Sequence, residues 1–426
     1  MTVRPMSPES LLLRALRILP LLWIILICSV DLDVHLVTRV SLVIVGLLFI
    51  VYRFDLTNGW MAFTMPWFLI LIFGTLGISE YSRDVSPRTI TVVVSLIAIA
   101  AAFIPPVHLP VAQADSAGAG AIPARFRVLV IVLLSLAALN AAAAGYVPLI
   151  HLLLTGDSGY MGFGIKGVYG FFNAFSNALG ITAFYLWITD RKPMYRNVFF
   201  LVLGIFLLFM TRQNIISLLV ESFVVYNLIR KRVARTRIVV MVAIMLFLFG
   251  VLGDLRVGKD IAELAKITDE YKWVPTAGIW MYSYFYFNLL NLDNAVNAGP
   301  PYFDFSSFAQ VIPSFLRPAS DHAEDLLEIS SFTVGSFVTP LYRDLGIIGL
   351  WLLFFLFCQG LEAYRKRIRG DRNFVAITSY SVMYFCFMFS FFDNFFFYLP
   401  VIFQLFFLYV FKKYLFVESD NQRMSA

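Results

Sequence analysis

The chain has 426 residues, of which 60% are hydrophobic and 14% charged, against roughly 25% charged in an ordinary soluble domain. A chain this apolar cannot close its surface in water, so composition excludes a soluble globular protein and points to one lipid-embedded unit. The excess of 33 Lys and Arg over 27 Asp and Glu, a net charge of +6, reports orientation in a membrane rather than a nucleic-acid partner.

The apolar residues fall in blocks of roughly 13 to 21 between short charged clusters, which is the pattern of bilayer-spanning helices. They predict an all-α, polytopic membrane helix bundle of about 12 transmembrane helices: 18–30, 40–52, 60–78, 89–104, 128–144, 168–188, 197–210, 215–229, 238–253, 345–363, 373–391 and 395–411. Nine helices thus occupy 1–253, a long hydrophilic loop 254–344, three more helices 345–411, and a tail 412–426. The first apolar block has no small-residue cleavage site and runs into Asp31-Leu-Asp33, so it is expected to stay as an anchor. Residues 112–124, rich in Ala and Gly, read as a flexible linker. Cys28, Cys358 and Cys386 all fall inside apolar segments, where packing is their expected role.

Placing the N-terminus in the cytoplasm puts 22 Lys and Arg on the cytoplasmic side and only Arg39, Arg83, Arg88, Lys166 and Arg212 in short outer loops. The clusters Arg230 to Arg237 and Arg365 to Arg372 fix orientation on both sides of the long loop, which is then periplasmic with both termini cytoplasmic. Residues 275–292 are apolar enough to span, but a crossing there would move Arg365 to Arg372 outside. The crowding of Trp280, Tyr282, Tyr284, Phe285, Tyr286 and Phe287 instead predicts an interfacial helix at headgroup depth. Before it, Ile261, Leu264 and Ile267 give Lys259 to Glu270 a helical stripe. After it, Gly299-Pro-Pro-Tyr302 breaks regular structure.

The long loop carries twelve acids and six Lys or Arg, so its cations stand out individually. Arg212 in the hairpin Thr211-Arg-Gln-Asn214, Arg256 after the ninth span, Arg317, and Arg343 before the tenth all sit in the loop or at outer helix ends. An arginine fork matches phosphate oxygens, so several converging there could hold a lipid diphosphate; the plainer reading is a snorkelling arginine that ends a helix. Arg212 resists the plainer reading, because a hairpin of a few residues between two spans does not need a charge. Asp344, directly before a span, reads first as an N-cap and second as a general base beside Arg343. Glu221 falls mid-span, where a polar partner or a cavity is expected. His322, in the acidic run Asp321 to Glu328, reads as a solvated loop face able to titrate near neutrality. The four histidines have no metal-binding spacing and no Gly-rich phosphate loop opens a helix, so neither a metal nor a nucleotide cofactor is expected.

The run Gly335-Ser-Phe-Val-Thr-Pro-Leu-Tyr342-Arg-Asp344-Leu-Gly346-Ile-Ile-Gly349, following a long outer loop and preceding the last three helices, resembles the bacterial oligosaccharide repeat-unit polymerases, the Wzy-type O-antigen polymerases. Met210-Thr-Arg212-Gln-Asn214 is similar to the Ser/Thr-Arg hairpin of those polymerases and of the related O-antigen ligases, and Gly299-Pro-Pro-Tyr302 to a Gly-Pro-Tyr element of the loop. The resemblance covers roughly residues 200–360. It implies transfer of a growing glycan from undecaprenyl diphosphate to the next lipid-linked repeat unit at the outer face of the bacterial inner membrane. Membrane lipids, a chain-length regulator and a flippase are its expected partners. On this resemblance Arg212 and Arg256 would neutralise the departing diphosphate, Arg317 or Arg343 would assist, and Asp344 or His322 would accept a proton. Tyr302, Tyr284 and Glu221 would contribute to substrate binding. Two alternatives share parts of the pattern. An O-antigen ligase would carry a histidine near Gly335, which this chain lacks. A flippase of lipid-linked oligosaccharides would have short loops and two related halves.

Overall fold

The computed structural model describes residues 8–106, 122–230, 250, 261–313, 316, 328, 335–370 and 374–416. Most of the predicted span 238–253, most of the 112–124 linker, and Arg256, Arg317 and His322 lie outside the described residues. Within them every extended element is a helix: α1 (Pro8–Ser29), α2 (Val34–Val51), α3 (Gly59–Phe73), α4 (Pro87–Phe103), α5 (Ile122–Ala144), α6 (Pro148–Thr155), α7 (Val168–Asp190), α8 (Pro193–Leu208), α9 (Arg212–Arg230), α10 (Thr276–Asn297), α11 (Val338–Gly370), α12 (Phe374–Met388) and α13 (Leu399–Leu415). Val34–Val51, Pro123–Thr155, Val168–Asp190 and Val338–Ile368 are each long and apolar enough to cross a membrane, with shorter apolar helices packed among them. The protein is a membrane-embedded helical bundle, the form in which a chain satisfies its own backbone hydrogen bonds where no water can.

Two groups of helices make the bundle. In one, α1 to α4 pack on each other and on α11; in the other, α7 to α9 pack with α13. Helix α12 touches both α3 and α9 and joins the groups. Close approach, rather than water exclusion, holds helices together in lipid, and Gly59 shows it: a Cβ there would collide with Leu361 Cδ2 of α11. A stack of Phe63, Phe337, Phe354, Phe387 and Phe396 fills the junction of α3, α11 and α12, with centroids 4.6 to 6.3 Å apart.

Short antiparallel connections collect the C-terminal ends of α3, α8 and α12 and the N-terminal ends of α4, α9, α11 and α13 at one face, here called the loop face. Phe337 N–H, for example, donates to Ser390 O across it at 2.9 Å. The opposite face gathers the other ends, where Phe374 packs on Phe416 and Tyr185, and Phe126 on Tyr195. Among the described residues, the side-chain contacts of helix α10 with α3, α4 and the α12–α13 connection lie at the loop face. Tyr282 and Phe285 meet Phe73 at the end of α3, Phe285 meets Phe391 beyond α12, and Asp293 meets Ser86 and Thr89 at the start of α4. A helix crossing the bundle would reach both faces, so α10 lies across one end of the described bundle.

Asp293 fastens it there. Its buried carboxylate accepts from Arg83 Nη1 at 2.5 Å, Ser86 N–H at 2.9 Å, Ser86 Oγ at 2.7 Å, Thr89 Oγ1 at 2.8 Å and Asn297 Nδ2 at 3.1 Å. Ser86 is also the N-cap of α4, with Pro87 in its first turn, so the acid sits where orphan amides and the helix dipole favour an anion. Burial pushes the Asp293 carboxyl up, but the bonds from Ser86, Arg83 and Thr89 outweigh it and hold it below the ordinary aspartate value.

Two boundaries depart from the sequence reading. Of the helical stripe expected over 259–270, the described residues form one α-helical turn, Ile261–Leu264. The backbone beyond it is used elsewhere: Lys266 turns left-handed with φ 43°, its carbonyl accepts from Glu80 N–H at 2.9 Å, and Thr268 N–H donates to Ile78 O at 3.0 Å. The tenth span, expected at 345, opens at Val338 and is broken at Gly346, with φ 66° and ψ −175°.

Asp293→Ala is expected to cost about 3 kcal/mol of unfolding free energy in detergent, because it strands a buried cluster of donors. With its folded pKa depressed, the native carboxylate stabilises fully at neutral pH and loses that contribution as pH falls below about 4. Thermal midpoints between pH 7 and pH 3 should show this acid loss in the unsubstituted protein and a blunted one in the variant.

Candidate functional site

The chain between α8 and α9 turns within three residues. Met210 takes φ 55°, Thr211 N–H donates to Phe206 O at 3.0 Å and Asn214 N–H to Thr211 O at 3.1 Å. The turn is tighter than the sequence suggested and makes Arg212 the first residue of α9. Its half-buried side chain lines a cavity of about 110 Å³ at the loop face together with Tyr160, Gln213, Phe385, Phe389, Phe392 and Phe395. A cation on the positive end of a helix, facing a pocket walled by aromatic rings, suits an anionic group carried on an apolar body.

Tyr284, expected to contribute to substrate binding, stands behind this wall. Its ring lies 5.1 Å from that of Phe392 and stacks on Trp280 at 5.5 Å. Through it α10 braces the cavity from the loop side.

The other loop candidates form a second cluster. Gly299-Pro-Pro-Tyr302 docks on the start of α11: Tyr302 N–H donates to Arg343 O at 2.7 Å and Phe303 N–H to Asp344 O at 2.9 Å. Arg343 is buried, donates from Nη1 to Gly299 O at 3.0 Å and lays its guanidinium over the Tyr302 ring at 4.2 Å. Asp344 is 1% exposed and accepts from Ser307 N–H at 3.0 Å and from the Ser307 hydroxyl. The expected N-cap role is therefore not what this acid does, since the helix has already begun at Val338 and the carboxylate reaches back into the loop. Gly346 completes the dock, because a Cβ there would lie 3.0 Å from Pro301 Cγ. Two segments that resemble one family's motifs separately are thus a single interlocked unit, with Arg343, Asp344 and Tyr302 bracing it.

Between cluster and cavity runs the α12–α13 connection, 389–398. Phe392 and Phe395 line the Arg212 cavity, while Phe397 packs on Phe308 at 4.5 Å, one residue from the Ser307 that holds Asp344. Sequence reasoning passed over this connection, although the polar pair Asp393-Asn394 inside a run of aromatic residues was the signal that could have marked it.

Glu221 is not part of either grouping. It is fully buried in the bundle, where Oε1 accepts from Ser217 Oγ at 2.7 Å and Oε2 from Gln404 Nε2 of α13 at 2.8 Å. These are the polar partners that a mid-span acid requires, and Gln404 was not foreseen. Asp33, of the early acidic pair, caps α2 by accepting from Leu36 N–H at 3.0 Å. Among the described residues, no three His, Cys, Asp or Glu side chains are grouped to hold a metal ion. Compared with protein-family models, curated proteins and solved structures, the chain matches none. The fold and site together define a class: a helical membrane protein with an arginine-bearing aromatic cavity under a lateral helix.

Gly346→Ala would force a side chain into left-handed backbone and against Pro301, at about 1–2 kcal/mol. The expected readout is faster limited proteolysis at 299–305 in detergent, with the rate at exposed Trp273 unchanged.

Proposed function

We propose that the protein is a metal-independent glycosyltransferase, a polymerase that joins undecaprenyl-diphosphate-linked oligosaccharide repeat units into a surface polysaccharide at the outer face of the inner membrane. The observation that carries the reading is the Arg212 cavity at the face where the long loop gathers, beside the interlocked Gly299–Tyr302 and Tyr342–Gly349 segments. In this reading the full chain makes twelve spans, the ninth at 238–253, with the loop face periplasmic and both termini cytoplasmic. The exposed Lys366, Arg367 and Lys413 on the opposite face support that orientation.

The chemistry follows from the donor. A polyprenyl diphosphate is already an activated leaving group, so the protein's task is to place the acceptor hydroxyl and to neutralise charge as the bond to the anomeric carbon breaks. Arg212, at the start of α9, lines the cavity where that charge would grow, and the aromatic wall excludes water. Arg343, Asp344 and Tyr302 hold the loop that shapes the glycan path. Arg256 and Arg317 remain further candidates for the diphosphate.

The purified protein in phospholipid vesicles should extend a synthetic undecaprenyl-diphosphate-linked repeat unit into a ladder of longer chains. Arg212→Ala should lower that rate about 10²–10³-fold, the scale for removing one donor aimed at developing charge, while the thermal midpoint stays near that of the unsubstituted protein. Ladders of normal length from the variant would contradict the assignment of Arg212.

A further inference from the structure

We propose that the cavity between the C-terminal ends of α7 and α9, on the face opposite the Arg212 cavity, binds the phosphate head group of an anionic membrane phospholipid. The inference does not depend on the polymerase reading. The two helices pack together and run parallel, so their last turns meet at the same end of the bundle. Arg191 caps α7 and Arg230 closes α9, and both line one open cavity of about 680 Å³ together with Phe184, Trp187, Ile188 and Tyr226. No acid stands in that lining.

Both cations are placed by backbone. Arg191 ends α7 in a left-handed turn, with φ 57° and its N–H donating to Trp187 O at 3.0 Å. Arg230 is half-buried and donates from Nη2 to Ile188 O at 2.8 Å, covering one of the carbonyls left open at the end of α7. Among the described residues neither arginine pairs with a carboxylate: the neighbouring acid, Asp190, accepts from Thr189 Oγ1 at 3.3 Å and lies outside the cavity lining. A cation that only complements a helix C-terminus needs neither a shared cavity nor a wall of rings. Helix carbonyl ends by themselves repel an anion, so the two guanidiniums are what makes the cavity attractive to one.

The rings say what kind of anion. Trp187 lies 5.7 Å from Phe184 and 6.1 Å from Phe200, which is 55% exposed on α8, so the aromatic side of the cavity adjoins the apolar outer surface of the bundle. Guanidinium forks match phosphate oxygens, and Trp and Tyr at the same helix ends suit the boundary between head group and acyl chain. A free phosphate ion would use the arginines and leave the rings without a role. Helix α9 carries Arg230 at this end and Arg212 at the other, so a lipid held here anchors the helix that presents Arg212.

The test titrates the full chain, purified in detergent and stripped of lipid, with short-chain phosphatidylglycerol while the thermal midpoint is followed; phosphatidylcholine and inorganic phosphate are the comparison probes. Phosphatidylglycerol should raise the midpoint saturably, as a ligand of the folded state does, and the other two should not. Arg191→Ala and Arg230→Ala should each weaken binding about fivefold, the scale of one basic contact to anionic lipid. Arg230→Ala also loses the bond to Ile188 O, so its unliganded midpoint should fall; Arg191, exposed and without a side-chain bond among the described residues, gives a variant free of that cost. Lys413→Ala, which removes an exposed cation elsewhere on the same face, should bind as the unsubstituted protein does. Equal affinity for phosphatidylcholine, undiminished affinity in Arg191→Ala, or an equal loss in Lys413→Ala overturns the site. A shift of the same size from inorganic phosphate overturns the lipid assignment in favour of a soluble anion.

Discussion

Asp293 is a carboxylate sealed from solvent at the edge of a membrane bundle, and it is tolerated there because five donors converge on it from the α3–α4 connection, the first turn of α4 and its own helix. Removing such donors would leave an uncompensated buried charge. The same bonds determine where α10 lies, for the acid is near the C-terminal end of that helix and its partners are at the loop face. With α10 pinned, Tyr284 and Phe285 press on Phe392 and Phe391, so the far wall of the Arg212 cavity is positioned by an ion pair on the opposite side of the helix. Stability and site geometry are two effects of one contact.

The loop face is built in layers that hold its side chains in place. Arg212 is anchored by a backbone turn rather than by a flexible loop, which fixes its origin at the helix end. The connection 389–398 supplies rings, and the Tyr302–Arg343 stack with the Asp344–Ser307 bonds ties the irregular segment 299–307 to the first turns of α11. Side chains that lock one another in this way lose little further entropy when a ligand arrives.

Much of this was legible from residue order alone. Apolar blocks of roughly 13 to 21 residues suffice to mark the helices of a membrane bundle, because the bilayer imposes length and polarity directly on sequence. The place of Arg212 at a helix end, in a tight turn between two helices, was also legible. What escaped depends on pairing across long sequence distance. Nothing near Asp293 in the chain announces Arg83 or Thr89, and nothing near Glu221 announces Gln404. Asp344 carries the local signature of an N-cap, and the tertiary partner Ser307 overrides it. The early start of α11 was hidden because Thr339 and Pro340 read as loop, although Pro is well tolerated in a first helical turn.

The central claim is that α10 does not cross the bilayer, so the long loop and the basic stretch at the end of α11 lie on opposite sides. With Cys28, Cys358 and Cys386 replaced, a single cysteine at exposed Trp273 or at exposed Lys366 can be labelled by a membrane-impermeant maleimide in vesicles of known orientation. The account predicts labelling of the two positions from opposite sides. Labelling of both from the same side would mean that α10 spans the membrane, and would contradict it.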